Sequence, residues 1–454
     1  MSRLPLEGIR VLELGQVQVL PYAIKPLGLM GAEVVKIEST MRPDTVRRGL
    51  NPDNKPFHRY WDHSGFFQEL NMNKKGLTLD LTKPKGVEVF KQLVKISDVV
   101  AENFTARVMK NFGLDYPELV KLKPDIIMLS STGWGQEGPW RNYLAYGPNT
   151  EASIGLMHLT GYPDGPPIRA GSGGMGIAYS DTIGAFMGTF AILAALENRY
   201  RTGQGQWIDL SHYEVGTAMI GEAIMDYMMN SRVWDRIGNR DVSMAPHGCY
   251  RCKGKDEWVA IAVASDEEWQ AMCQVMQSPD WSREERFADG PTRWRNQDEL
   301  DKLIEACTID KDRKEVMELL QKAGVAAGAV LTTKDLLLDP HLKARGIFEM
   351  VPHADNKEAT VKRPHMGSLW RMSKTPGKVR APAPLLGQHN EGIMGELLAM
   401  SQGSIEKLAE EGIIGEEPMA EAPIAPTVRP VEADLKAGRL REIDHNYKDL
   451  LGST

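Results

Sequence analysis

Residues 6–38 read LEGIRVLELGQVQVLPYAIKPLGLMGAEVVKIE, and this stretch decides the fold. Residues 9–14 (IRVLEL) form a short β-type run, 20–30 carry a helical pattern, and 33–37 (EVVKI) return to strand. Strand, helix and strand in succession make a βαβ unit. The alternation continues outward. Residues 77–81 (LTLDL) read as strand, and Pro84 opens a helix with Val87, Phe90, Leu93 and Val94 on its inner face. Residues 98–101 and 125–129 add two more strands. This pattern predicts an α/β fold with a mainly parallel sheet and right-handed crossovers.

Further along, residues 135–176 are rich in Gly and Pro, and irregular stretches of that length usually carry function or disorder. A helix over roughly 182–200 follows, with Ile183, Phe186, Met187, Phe190 and Leu193 on its apolar side. TGQGQ turns the chain into a strand at 207–210, and a Met-rich helix spans about 212–230. Near residue 245 the texture changes. Residues 249–252 and 257–263 read as a hairpin turning at KGKD, and Ser265 with Glu268 fits a capping box for the next helix. Helices near 297–307 and 311–323 and a strand at 325–331 complete a smaller α/β segment. The last residues, from 416, form a Pro- and Glu-rich tail that need not join a core.

Composition narrows the class. At 454 residues, with 42% hydrophobic and 25% charged, the chain can bury its own core without disulfides or metals. A net charge of -7 argues against a nucleic-acid partner. No uninterrupted apolar run reads as membrane-spanning, and the N-terminus enters a strand pattern with no secretory signal. The expectation is a cytoplasmic enzyme with neither membrane nor nucleic-acid partner. His247, Cys249 and Cys252 lie close together, but nothing completes a zinc set, so no metal is expected. Walker A and GxSxG signatures are missing, no GxGxxG follows the first strand, and GSGGMG at 171–176 lacks a following Lys-Ser/Thr.

Asp181 ends the glycine-rich stretch just before the apolar helix. An N-cap role alone accounts for an Asp there. The same place suits a nucleophile, because the helix dipole favours an ionised carboxylate and nearby glycines admit a ligand.

An ordered series of motifs separates these readings. The opening βαβ unit is joined by N-x-N-K-K at 71–75 with GLTLDL, then by VAENFTARVMKNFGLDY at 100–116. SSTGWGQEGP, TGYPDGPP, the Asp181 helix, RTGQGQWIDLS, DPHLKARG and APAPLLGQHNE follow in order. Over about residues 5–415 the chain resembles the family III CoA-transferases, the group that includes formyl-CoA transferase, carnitine CoA-transferase and α-methylacyl-CoA racemase.

The resemblance implies a Rossmann-like large domain built from both ends of the chain: 1–225, then 336–415 returning after a small α/β domain at 226–335, with 416–454 as the tail. It implies an interlocked homodimer or a related heterodimer. The activity it implies moves CoA from an acyl-CoA, succinyl-CoA by analogy, to a carboxylic acid. Asp181 would be the covalent nucleophile, with CoA as substrate and no tightly bound cofactor. CoA contacts carry over to Gln16, Val17, Gln18, Lys74, Lys75, Asn103, Phe104 and Arg107, and Trp134, Tyr146 and Gly147 stand on the substrate side. An acyl-CoA racemase or epimerase, or one subunit of a hetero-oligomeric transferase, are the alternatives. Departures bear on these. Thr132 replaces a CoA-contacting Lys of formyl-CoA transferase, and Tyr146–Gly147 replaces the His-Asp pair of the racemase. Glu151 could stand in for that His, but is expected to be solvated or hydrogen-bonded.

Overall fold

The computed structural model describes residues 3–56, 58–170, 178–355, 362–422 and 424–450. It divides into two compact units, one of residues 1–156, 169–226 and 340–454, the other of 157–168 and 227–339.

The first unit is built on six parallel strands: β1 (Arg10–Leu14), β2 (Glu33–Glu38), β3 (Lys74–Thr78), β4 (Val99–Glu102), β5 (Ile127–Thr132) and β6 (Trp207–Ser211). Their spatial order is β3-β2-β1-β4-β5-β6. The predicted parallel α/β sheet is therefore present, in the order of a Rossmann fold. Side chains alternate between its faces. Leu12, Val35 and Val100 enter one core, and Val11, Val34, Val99 and Ile127 enter the other. Both faces are covered, as a parallel sheet requires.

Helices α1 (Val19–Leu29) and α2 (Pro84–Lys95) cover opposite faces. Helix α4 (Tyr179–Thr202) packs on α1, and α3 (Gly147–Ser153) and α5 (His212–Ala218) pack on α4. Helix α4 is long and apolar enough to cross a membrane by length and composition, contrary to the expectation for the chain. Its Ala185, Ile192 and Ala195 are instead buried against α1 and the sheet, as in a core helix. On the α2 face, Ile405 and Leu408 of the returning helix α6 (Gln402–Glu410) join the core.

The tail is tied down by hydrogen bonds. Thr427 N donates to Arg48 O at 3.1 Å, Arg429 N to Asn54 Oδ1 at 2.8 Å, and Tyr60 Oη to Ile424 O at 3.1 Å. Backbone hydrogen bonding to residues 48–60 holds a segment that lacks the apolar residues to form a core of its own.

In the second unit, β7 (His247–Arg251) and β8 (Trp258–Ala262) form the expected antiparallel hairpin, and β9 (Ala326–Ala329) adds to β8. Ser265 Oγ accepts from Glu268 N at 3.2 Å, and the Glu268 carboxylate accepts from Ala264 N at 2.7 Å. Cys249 and Cys252 are free thiols, and among the described residues no His, Cys, Asp or Glu cluster suits a metal.

Candidate active site

Strand order reverses between β1 and β4, so the loops that follow these strands diverge and leave a crevice. Asn103, after β4, clamps the β1 loop from both sides. Gln16 N donates to Asn103 Oδ1 and Asn103 Nδ2 donates to Gln16 O, each at 2.9 Å. Val17 is held at φ 64°, a left-handed conformation that costs a β-branched residue about 1–3 kcal/mol. Buried Asp44 fixes it, accepting from Val17 N at 2.9 Å while Lys36 Nζ pairs with the same carboxylate at 3.0 Å. Strain at a loop bordering a crevice is a mark of a functional site.

That crevice is a cavity of about 220 Å³. Gln16, Val17, Gln18, Asn103 and Phe104 line it together with Trp134, Tyr146 and Gly147. Asp181 and His212 also line it. The candidates of the β1 and β4 loops and the substrate-side candidates thus converge on one hollow with Asp181.

Asp181 is not the helix cap. Helix α4 begins at Tyr179 with Ala178 as its N-cap, so Asp181 lies within the first turn. Among the described residues, no hydrogen-bond donor occupies its carboxylate. Nor is it held fully ionised by the helix dipole, as the sequence suggested. Burial above all, then the Glu151 carboxylate, pushes it up to about 6, with Arg169 opposing. Glu151 is fully buried and its Oε2 accepts from Arg169 Nε at 3.4 Å, so of the two expected states it is the hydrogen-bonded one and not the solvated one. The backbone of Gly147 comes close enough that a Cβ there would stand 2.6 Å from Asp181 Oδ2.

His212 follows β6 and was not singled out from the sequence. Its Nδ1 lies 3.9 Å from Asp181 Oδ1, and its Nε2 is 2.8 Å from Ser131 Oγ. Burial pushes it down to about 4, so it is neutral near pH 7. A single His one residue after a strand carries no signal until β5 and α4 are brought beside it. Arg141, which also lines the cavity, was likewise missed.

Three predicted CoA contacts lie apart from the cavity lining. Lys74 Nζ is buried, pairs with Glu13 Oε2 at 2.7 Å and donates to Pro21 O at 2.9 Å. Burial pushes it down to about 8 against the pull of Glu13. This lysine neutralises a core carboxylate and does not face a ligand. Lys75 is partly exposed and pairs with Glu33 at 2.7 Å. Arg107 is exposed at the start of a short helix, Arg107–Asn111. Lys74→Met should cost about 3 kcal/mol in urea unfolding, because Glu13 would lose one of its two buried cations. A loss below about 1 kcal/mol would contradict a structural role.

The family model described as CoA-transferase family III matches residues 6–390. A succinyl-CoA--D-citramalate CoA-transferase from Chloroflexus aurantiacus is 34% identical over 410 residues, 90% of this chain and 98% of the relative. The succinyl-CoA:glutarate CoA-transferase of Mus musculus is 31% identical, with 91% of each chain covered. A solved structure of a CAIB/BAIF family protein from Brucella suis matches with a TM-score of 0.77 and 29% identity, covering 87% of this chain and 100% of the other. With the match running through both strand-end loops and Asp181, the chain belongs to CoA-transferase family III and is an enzyme whose substrates are CoA thioesters.

Proposed function

We propose that this enzyme transfers CoA from succinyl-CoA to a carboxylic acid through a covalent intermediate on Asp181. One observation carries the reading: a carboxylate with no hydrogen-bond donor on it, among the described residues, lines the switch-point cavity.

An Asp181 oxygen attacks the thioester carbonyl, the C–S bond breaks, and CoA leaves as thiolate. The product is a mixed anhydride between Asp181 and succinate. The thiolate then attacks the Asp181 acyl carbon, expelling succinate and leaving an aspartyl-CoA thioester. The acceptor carboxylate attacks that thioester, and the released thiolate attacks the acceptor's acyl carbon, freeing Asp181. Splitting the exchange this way keeps the thioester's free energy in a covalent acyl group. No step moves a proton, so a neutral His212 suits the site. With Ser131 O–H donating to Nε2, Nδ1 carries the proton and faces Asp181 across 3.9 Å, beyond hydrogen-bond distance. Gln16, Val17, Gln18, Asn103 and Phe104 border the pantetheine arm, and exposed Arg107 meets the CoA phosphates. GSGGMG, a possible source of oxyanion-stabilising amides, lies outside the described residues.

The attacking form is the carboxylate. Activity is therefore lost as pH falls through about 6 and levels off above it. The test is a pH profile of kcat/KM with succinyl-CoA and glutarate. Wild type should show an acidic limb near 6. Glu151→Gln, which removes a negative neighbour, should move that limb to lower pH. Absence of transfer to any acid, or a limb that rises on Glu151→Gln, contradicts the proposal.

The family resemblance also supports an interlocked homodimer, or a heterodimer with a related chain, acting in the cytoplasm. The racemase reading is disfavoured, because Tyr146 and Gly147 stand where the racemase has its His-Asp pair.

A further inference from the structure

Four aromatic rings form a cluster beside the nucleophile that the CoA-transfer mechanism does not use. Trp134 packs edge-on against Trp140 at 5.5 Å between centroids and lies 5.5 Å from Tyr213. Trp140 in turn stacks on Tyr143 at 6.3 Å and meets Tyr213 edge-on at 5.6 Å. Within the single chain the cluster is not core. Trp140 is 42% exposed, Tyr143 58% and Tyr146 71%, and Leu144 beside them is also exposed. Trp134, Tyr143 and Tyr146 open into the Asp181 cavity. Exposed apolar surface that is continuous with a cavity marks a binding site.

Charge narrows the occupant. Arg141 lies between Trp140 and Tyr143 in the chain and lines the same cavity, and no described residue pairs with its guanidinium. A cation beside exposed rings draws an anion that has an apolar body. The short methylene chain of glutarate offers these rings little surface, whereas a planar aryl group can stack on or meet them edge-to-face.

We infer that the acceptor is a carboxylic acid bearing an aromatic ring, which sits against Trp134, Trp140 and Tyr143 while its carboxylate reaches Asp181. This rests on the CoA-transferase reading above and names the acid that it leaves open.

With succinyl-CoA as donor, kcat/KM is compared for phenylsuccinate and glutarate. Phenylsuccinate should be favoured by about tenfold or more, the scale of one good aromatic contact. Trp140→Leu and Tyr143→Leu should each cut the phenylsuccinate value about tenfold more than the glutarate value, while Trp140→Phe, which keeps a ring, should restore most of the preference. Equal or better use of glutarate by wild type overturns the inference. So does a variant that raises KM for succinyl-CoA and lowers both acids alike, because the rings would then hold the CoA arm. Failure of the underlying reading looks different: no acid accepts CoA at all.

Discussion

Asp181→Asn should lower CoA transfer by about 10⁴-fold or more while leaving the fold intact. The amide has nearly the shape of the carboxylate but cannot form the anhydride. The N-cap of α4 is Ala178, and no described donor relies on the Asp181 carboxylate, so the change removes no cap and, among the described residues, no hydrogen bond. Replacing a group held up at about 6 by burial with a neutral one relieves a desolvation cost, so melting temperature should hold or rise. Turnover and thermal unfolding measured on the same preparation separate chemistry from stability. Activity above about one hundredth of wild type would exclude Asp181 as the obligatory nucleophile.

Gly147→Ala should be the most damaging small substitution in the cavity. The added Cβ would lie 2.6 Å from Asp181 Oδ2 and 2.4 Å from Ala178 Cβ. The carboxylate can swing away, but Ala178 is the N-cap of α4 and carries Asp181 with it. Displacing a nucleophile by about 1 Å can cost 10²-fold, and overpacking adds a stability loss of about 1–3 kcal/mol. The expected result is kcat down about 100-fold with a smaller change in KM for succinyl-CoA. A variant with wild-type kcat would mean that this contact does not set the position of Asp181.

The fold was legible where local pattern carries it. Runs such as IRVLEL and EVVKIE are strands buried on both faces, and their alternation with helices fixes a parallel sheet. The order of β4 and β1 as neighbours depends on pairing across almost 90 residues, which no local pattern encodes. Element ends drifted for the same reason. Helix α4 starts at Tyr179, four residues before Ile183 opens the apolar stripe, and β3 starts at Lys74, before its apolar run. That shift explains the misread lysine. The family resemblance makes Lys74 a CoA contact, but β3 places it beside Glu13 of β1, a buried partner 61 residues away. His212 and Arg141 were hidden because each acquires meaning only from distant neighbours. The proposed nucleophilic role of Asp181 rests in the sequence on the ordered motifs alone, since an Asp near a helix start is ordinary.

The most direct test is to incubate the enzyme with succinyl-CoA, quench with hydroxylamine and map the modified peptide by mass spectrometry. Hydroxylamine converts an aspartyl-CoA thioester to the hydroxamate and releases CoA. The account predicts a hydroxamate on Asp181 that requires succinyl-CoA and is lost in Asp181→Asn. Modification of Glu151 in its place, or an unmodified Asp181 in enzyme that is turning over, would contradict it.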